Sequence, residues 1–179
     1  MRTQLITATA VLLLSAPVAT GQTPGQAPAR LVGTWMSAPD TLTLTSDFDR
    51  SVWGPEASSV RVVSLMVSPT GTGTLMVTKK VVDARGQTVP ASTWIEEAQI
   101  AIGAPQDGPS TRVEYATTVA SAVRRYPDDP EYRWPLDGLR VKVVTFTDGD
   151  PNTMEIRYET PEGTGSFWET LRKERGDGG

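Results

Sequence analysis

The chain has 179 residues, a formal net charge of −4, and neither cysteine nor histidine. Without cysteine it has no disulfides, thiolate nucleophiles or Cys-bound metal centres, and without histidine it lacks His-based acid–base triads and nearly all catalytic zinc sites. The acidic balance gives no basic footprint for nucleic acid. The length fits one domain with a buried core, and no cofactor is expected.

A short apolar run over residues 5–19 follows a positive residue at the start of the chain. This order, with small residues after the run, is typical of a secretory signal. Ala19 and Gly21 suit the positions before a cleavage site, so we predict that residues 1–21 are removed and that the protein is periplasmic or secreted in a bacterium. A membrane anchor is the alternative, but spanning takes ~20 apolar residues. Pro17 also interrupts the run. No later segment is apolar enough to span, so no span is expected after cleavage.

The remainder divides into a flexible lead-in over residues 22–30, a β-rich domain over residues 31–173 and a polar tail over residues 174–179. Clusters of Gly, Pro and Asp separate the β-rich runs, and such short connections predict antiparallel neighbours. The predicted runs are Leu31–Ser37, Thr41–Thr45, Val60–Ser68, Gly73–Ala84, Ala91–Ile102, Thr111–Val123, Leu139–Thr147, Thr153–Thr160 and Gly165–Arg172.

Alternation of apolar and polar residues identifies the buried face of these runs, most clearly where Met154, Ile156 and Tyr158 point one way. Eight or nine strands in a small domain must hide their edges, and closing a barrel does so. We therefore expect an all-β fold, an antiparallel up-and-down meander closing into an eight- to nine-stranded barrel. A two-sheet β-sandwich is the alternative. No helical period is convincing.

The first run carries Gly33-Thr34-Trp35, and the last carries Phe167-Trp168-Glu169-Thr170-Leu171-Arg172. This pattern resembles the lipocalin/calycin superfamily, as a diverged bacterial member. The resemblance implies that Trp35 closes the narrow end of the barrel, that Arg172 packs across its ring, and that Gly33 permits a close approach. A middle motif of the Thr-Asp-Tyr type and a short helix before the last strand are missing. Avidin-like barrels also begin with Gly-Thr-Trp, but the repeated Trp positions of a biotin site are absent here.

Two connections, residues 46–59 and 124–138, are longer than the other turns and rich in aromatic residues. Long loops of this kind are often lids or binding loops. In lipocalin-like barrels the loop after the first strands covers the open end, which residues 46–59 would match. The predicted ligand-binding residues, from these loops and from inward strand positions, are Trp53, Trp94, Tyr115, Tyr126 and Trp134. The alternative is that the loop aromatics only pack the loops onto the barrel.

Glu96 and Glu169 fall on inward or seam positions of their runs. Buried together, they would be convergent polar groups or an acid–base pair. A slip of one residue at a bulge would instead leave both in water, and this solvated placement is the one we expect. No catalytic residue is therefore assigned, and these two remain the candidates. The pairs Lys79-Lys80 and Arg124-Arg125 are likewise expected to be solvated.

The segment Asp148-x-Asp150-x-Asn152, with Glu159 at the twelfth position, has the ligand spacing of a calcium-binding loop. Thr153 stands where that loop needs Gly, and the segment also suits a tight β-turn. We expect the turn and no metal.

Three functions remain open. The first is an exported lipocalin-like barrel that binds a small apolar or amphipathic ligand. The second is a structural or protein-interaction barrel with a filled interior. The third is a barrel enzyme that uses a carboxylate pair.

Overall fold

The computed structural model of the chain describes residues 27–106, 111–160 and 166–174. The predicted signal segment, residues 22–26 of the lead-in and all but Glu174 of the tail lie outside the described residues. In the described part, no helix is long and apolar enough to cross a membrane. The described elements are β1 (Gly33–Ser37), β2 (Asp40–Thr43), α1 (Asp47–Trp53), β3 (Ser58–Val67), β4 (Thr72–Val82), β5 (Thr88–Gln106), β6 (Arg112–Tyr126), β7 (Asp129–Pro135), β8 (Arg140–Phe146), β9 (Thr153–Glu159) and β10 (Phe167–Lys173).

Eight of these strands close an antiparallel barrel in the order β1-β3-β4-β5-β6-β8-β9-β10. The first strand closes the ring, because Trp35 lies opposite Leu65 of β3 on one side and opposite Lys173 of β10 on the other. The predicted all-β, antiparallel barrel is confirmed. The sandwich alternative is wrong, since a strand with two partners leaves this ring no open edge.

Two described strands lie outside the ring. The strand β2 pairs with the start of β3, and β7 pairs with the end of β6. The pairing of Asp40 with Arg61 places residues 46–59 at the end of the barrel where β3 begins. This is the end opposite the N-terminal end of β1, and we call it the open end.

The middle of the barrel is filled by side chains from alternate strand positions. The predicted inward set Met154, Ile156 and Tyr158 is confirmed, because all three are at most 2% exposed. Burial of each such side chain contributes roughly 1.5–3 kcal/mol to stability. The buried side chains of largest volume are Trp35, Tyr115, Tyr158, Leu31, Leu65, Leu75, Ile102, Met154, Ile156, Leu171, Val63 and Val143. Space for a ligand must therefore be sought at an end of the barrel.

The opposite, closed end is covered by residues 27–32. Leu31 is fully buried, and its carbonyl accepts a hydrogen bond of 2.8 Å from Trp35 Nε1. Arg30 Nε donates to the Tyr115 hydroxyl at 2.9 Å. Within the predicted lead-in, Ala27 is buried and its amide donates to the Pro69 carbonyl, and a turn at Ala29 and Arg30 leads into Leu31.

The cation that covers the Trp35 ring is Lys173, whose Nζ lies 5.3 Å from the ring centre. This corrects the assignment of that contact to Arg172, which is exposed. Strand alternation gives the reason, because Leu171 is fully buried and the next residue must point outward. Gly33 does permit a close approach, because a Cβ at this position would lie 2.9 Å from Lys173 Cε. Its φ of +129° is also a backbone conformation that favours glycine.

Both long connections contain regular structure that the sequence analysis did not predict. Residues 47–53 form α1, whose cap is the Ser46 hydroxyl accepting from Asp49 N at 3.0 Å. None of its residues is buried, and Phe48 is 71% exposed. Within residues 124–138, the chain turns after Tyr126 and returns as β7.

Candidate ligand-binding site

At the open end, inward positions of the barrel strands carry polar and aromatic side chains in place of the apolar core. They surround a cavity of about 200 Å³, which we call the mouth cavity. Its lining residues are Arg61, Val77, Lys79, Trp94, Glu96, Arg124, Tyr158, Thr160, Ser166 and Phe167. Pockets for drug-sized ligands measure roughly 300–1,000 Å³, so the mouth cavity suits a smaller molecule.

Glu96 is the most buried charged group of the site, at 6% exposure. Its Oε1 accepts from Arg124 Nε at 2.8 Å and Nη2 at 2.6 Å, and its Oε2 accepts from the Tyr158 hydroxyl at 2.6 Å. Burial and this hydrogen bond raise the pKa of Tyr158 far above its usual range, so the phenol stays a donor. Glu96 is thus a fixed, paired carboxylate, and the expected solvated placement is wrong.

Glu169 also points inward, but a different arginine holds it. Arg61 Nη2 donates to Asp40 Oδ2 at 2.7 Å and to Glu169 Oε2 at 3.3 Å, and its guanidinium lies 4.1 Å from the centre of the Phe167 ring. Burial raises the pKa of Glu169, with Arg61 acting against it. Within the described chain no hydrogen bond joins Glu96 to Glu169, so the geometry does not support the acid–base pair.

Lys79 differs from the two arginines because its charge is unpaired. Its Nζ lies 4.7 Å from the centre of the Trp94 ring. Arg61 and Arg124 each have a carboxylate within 4.0 Å, whereas no described carboxylate lies that close to Lys79. Burial lowers the pKa of Lys79, and the charge of Arg61 lowers it further. The charges of Glu96 and Asp49 act in the opposite direction, but among the described residues no carboxylate is in direct contact with the Lys79 ammonium group in the lining of the mouth cavity.

Two lining residues carry buried polar atoms that the protein does not use. Arg61 Nε and Thr160 Oγ1 have no hydrogen-bond partner among the described residues. Most buried polar atoms in folded proteins are paired, because leaving one unpaired costs free energy.

Of the predicted ligand-binding residues, Trp94 alone lines the mouth cavity. A second cation, Arg124, lies 5.5 Å from the centre of its ring. Tyr115 belongs to the closed end, where it is 2% exposed and bonded to Arg30. The prediction that Tyr115 and Trp94 line the same site is therefore wrong. Tyr115 lies near the start of β6, whereas the part of β6 that reaches the mouth cavity, at Arg124, is near its end.

The loop aromatics contact one another and do not line the mouth cavity. Trp53 packs edge-on against Phe48 at 6.5 Å. Tyr132 lies 5.8 Å from Tyr126 and 6.4 Å from Trp134, and Trp134 is 49% exposed. These contacts lie within the two long connections, and the three predicted residues are not brought together with Trp94.

The sequence analysis missed most of the cavity lining. Lys79 and Arg124 were expected in water, and each instead lies on the inward face of its strand, while Arg125 pairs with Glu97 outside. The signal was alternation, since Lys79 shares a face with the buried Val77. Arg61 shares a face with Val63, Leu65 and Val67 in the same way.

The calcium-like segment forms a turn before β9. Asp150 Oδ1 accepts from Asn152 N at 2.9 Å, and Glu159 pairs with Arg157 on the strand. No group of three acidic side chains in the described ranges is placed to hold a metal ion.

The geometry defines a closed antiparallel β-barrel with a filled middle and a polar, cation-rich cavity at one end. No protein-family model and no curated protein matches the chain. Solved structures similar to it include a de novo designed fluorescence-activating beta barrel, 13% identical, and EF1p2_mFAP2b bound to DFHBI, 11% identical. Each comparison covers 81% of this chain and 94% of the other, with TM-scores of 0.32 and 0.31. Similarity this low carries no argument, so the fold rests on strand pairing and the site on its own geometry.

Proposed function

We propose that this protein is an exported, lipocalin-like β-barrel that binds a small amphipathic molecule at its open end. One observation carries the proposal. A single cavity joins two aromatic rings, Trp94 and Phe167, with three cationic side chains, Arg61, Lys79 and Arg124. Convergent polar groups beside aromatic surface can orient a small molecule, and this cavity has more polar lining than is usual for such a site.

The ligand would sit in the mouth and not deep in the barrel, because the buried core fills the middle. Its apolar part would pack on Trp94, because Phe167 is already stacked on Tyr158 and covered by Arg61, and its polar group would meet the cations. The hydrogen bonds among Glu96, Arg124 and Tyr158 hold this wall in place before binding. A preformed wall loses little conformational entropy on binding, which favours affinity.

The filled middle also favours a second candidate, a structural or protein-interaction barrel without a ligand. Native mass spectrometry of protein purified without detergent distinguishes the two. We expect an adduct of at most a few hundred daltons, sized to the cavity, that is lost on denaturation. A bare polypeptide mass, also after incubation with lipid and metabolite extracts, would support the structural barrel.

The variant Trp94→Ala locates the adduct. It removes one ring face of the mouth cavity and should abolish retention of the adduct. Trp168→Ala is the matched control, since Trp168 is 47% exposed on the outer face of β10. Loss of the adduct in both variants, or in neither, would argue against binding in the mouth cavity.

Export is tested by expressing the full chain in a bacterium and measuring the intact mass in each cell fraction. We expect a periplasmic or secreted form that begins at Gln22, because Ala19 and Gly21 suit the cleavage positions. An uncleaved chain in the cytoplasm would contradict export, and it would leave the binding proposal standing.

A further inference from the structure

We infer that the ligand of the mouth cavity is a small planar monoanion, an aromatic carboxylate or sulfonate, whose counter-ion is Lys79. This inference rests on the proposed function and adds the charge and shape of the ligand. Three steps support it, concerning charge, shape and the number of negative groups.

The charge follows from the pairing of the three cations. Arg124 is neutralised by Glu96, and Arg61 is bonded to Asp40 and Glu169. Lys79 has no such carboxylate among the described residues, although it is half-buried and lies between those two arginines in the lining. A buried charge without a partner is costly, and an anion from outside would remove that cost. Among the described lining residues, Lys79 is therefore the cation that has no carboxylate in direct contact.

The shape follows from the aromatic lining. Trp94 lies beside Lys79 and Arg124, and Phe167 lies under the Arg61 guanidinium. Phe167 is already stacked on Tyr158 and covered by Arg61, so Trp94 is the ring of the described lining on which a flat ligand would pack. A cavity of about 200 Å³ holds a small ring system and is below the usual size for larger ligands.

The number of negative groups is limited to one. Glu96 and Glu169 lie at the same end of the barrel, and a second negative charge on the ligand would face them without a free cation. Like charges close together in a partly buried site disfavour binding. A dianion should bind more weakly than a monoanion of the same body.

Isothermal titration calorimetry at pH 8 with four naphthalene probes tests the inference. The probes are 2-naphthoate, naphthalene-2-sulfonate, the neutral 2-naphthalenemethanol and the dianionic 2-naphthyl phosphate. We expect at least one of the two monoanions to bind about tenfold or more tighter than the neutral probe. The affinity of the dianion should fall below that of the better monoanion. Comparison of the two monoanions shows whether the site prefers carboxylate or sulfonate.

The variant Lys79→Met keeps the side-chain length and removes the charge. It should weaken the better monoanion about tenfold and leave the neutral probe unchanged. Lys79→Arg should keep the preference for an anion. Lys80→Met is the matched control, because Lys80 is the next residue and faces the outside of the barrel. Circular dichroism spectra of all three variants confirm folding.

Each result is decisive. Equal binding of monoanions and neutral probe, or an unchanged monoanion affinity in Lys79→Met, would overturn the inference and leave a small-molecule site. Tighter binding of the dianion would overturn the assignment of a single negative charge. No binding of any probe at millimolar concentration would overturn both the inference and the proposed mouth site.

Discussion

Among the described lining residues of the mouth cavity, Arg61, Glu96 and Arg124 are paired with an opposite charge, and Lys79 is not. Glu96 accepts hydrogen bonds from Arg124 and Tyr158, so its charge is compensated in place. Lys79 has no carboxylate in direct contact among the described residues, and the Trp94 ring beside it compensates part of the cost of burial. The first kind of charge stabilises the fold, and the second is tolerated at some expense in stability. A residue that costs stability and faces a cavity is typical of a functional site.

Replacing Lys79 with Met should raise the free energy of unfolding of the ligand-free protein by about 1 kcal/mol at pH 7. The advantage should shrink as pH rises from the lowered pKa of Lys79 towards 10.5. In that interval the unfolded chain binds more protons than the folded one, so the unsubstituted protein gains stability with pH. The charges of Arg61 and Arg124 lower the pKa of Lys79, and those of Glu96 and Asp49 raise it. Urea unfolding of both proteins at pH 7 and pH 10 checks this, and a destabilised variant at pH 7 would contradict it.

The paired carboxylate should behave in the opposite way. Glu96→Gln leaves the partly buried Arg124 without its anion and should lower the free energy of unfolding by about 3 kcal/mol. Glu97→Gln is the control, because Glu97 pairs with Arg125 on the outer face and such pairs contribute less than about 1 kcal/mol. Chemical denaturation gives both values. Equal losses in the two variants would show that burial of Glu96 has no special weight.

The closed end offers a test of which cation covers the Trp35 ring. Trp35→Phe opens space and leaves the buried Leu31 carbonyl unpaired, at a cost of about 3 kcal/mol. Lys173→Met should cost about 1 kcal/mol and Arg172→Met less than about 0.5 kcal/mol, since only Lys173 lies on the ring. Thermal unfolding ranks the three variants. A larger loss for Arg172→Met than for Lys173→Met would restore the original assignment.

At the scale of elements, the barrel strands and the segments outside the ring differ in how they are held. The strands β3, β4 and β5 pair along most of their length and bury alternate side chains. The helix α1 has seven residues and buries none, and every residue of β7 is exposed. Short helices without packing are marginal in water. The open end is therefore bordered by elements of lower local stability than the walls.

Hydrogen exchange followed by mass spectrometry should show this difference. The amides of α1 are expected to exchange orders of magnitude faster than those of β3 and β4, because they open without unfolding the barrel. Ser46→Ala removes the helix cap, worth about 1 kcal/mol locally, and should speed exchange in α1 while leaving global unfolding nearly unchanged. Equal protection of α1 and β3 would show that the helix is part of the cooperative barrel unit.

For the molecule as a whole, much of the fold was predictable because successive side chains of each barrel strand point alternately inward and outward. Met154, Ile156 and Tyr158 were assigned to the core from alternation, and closure was expected because eight or nine strands must hide their edges. The helix α1 has no apolar stripe that would indicate a helix. The strand β7 contains Pro130 and ends at Pro135, which argues against a strand in sequence terms.

The candidate site was harder to predict than the fold. Charged side chains are almost always solvated, so Lys79 and Arg124 were assigned to the surface although strand alternation placed both inside. The prediction of which cation covers the Trp35 ring was wrong by one position, because Lys173 and not Arg172 shares the face of Leu171. Trp94 was found since its size and parity both indicated the interior. Pairing partners such as Tyr158 with Glu96, 62 residues apart, depend on ring closure and leave no local signal.

Ring closure by β1 has a consequence for how the chain reaches its native state. The first barrel strand must meet the last, and these contacts have the largest sequence separation in the ring. Closing so long a loop is entropically costly and slows folding. Until β10 takes its place, β1 and β9 both present free sheet edges, which are the usual starting points of aggregation. An incomplete chain would therefore be exposed to mispairing for as long as its last strand is missing, and a chaperone that shields strand edges would protect it during that interval.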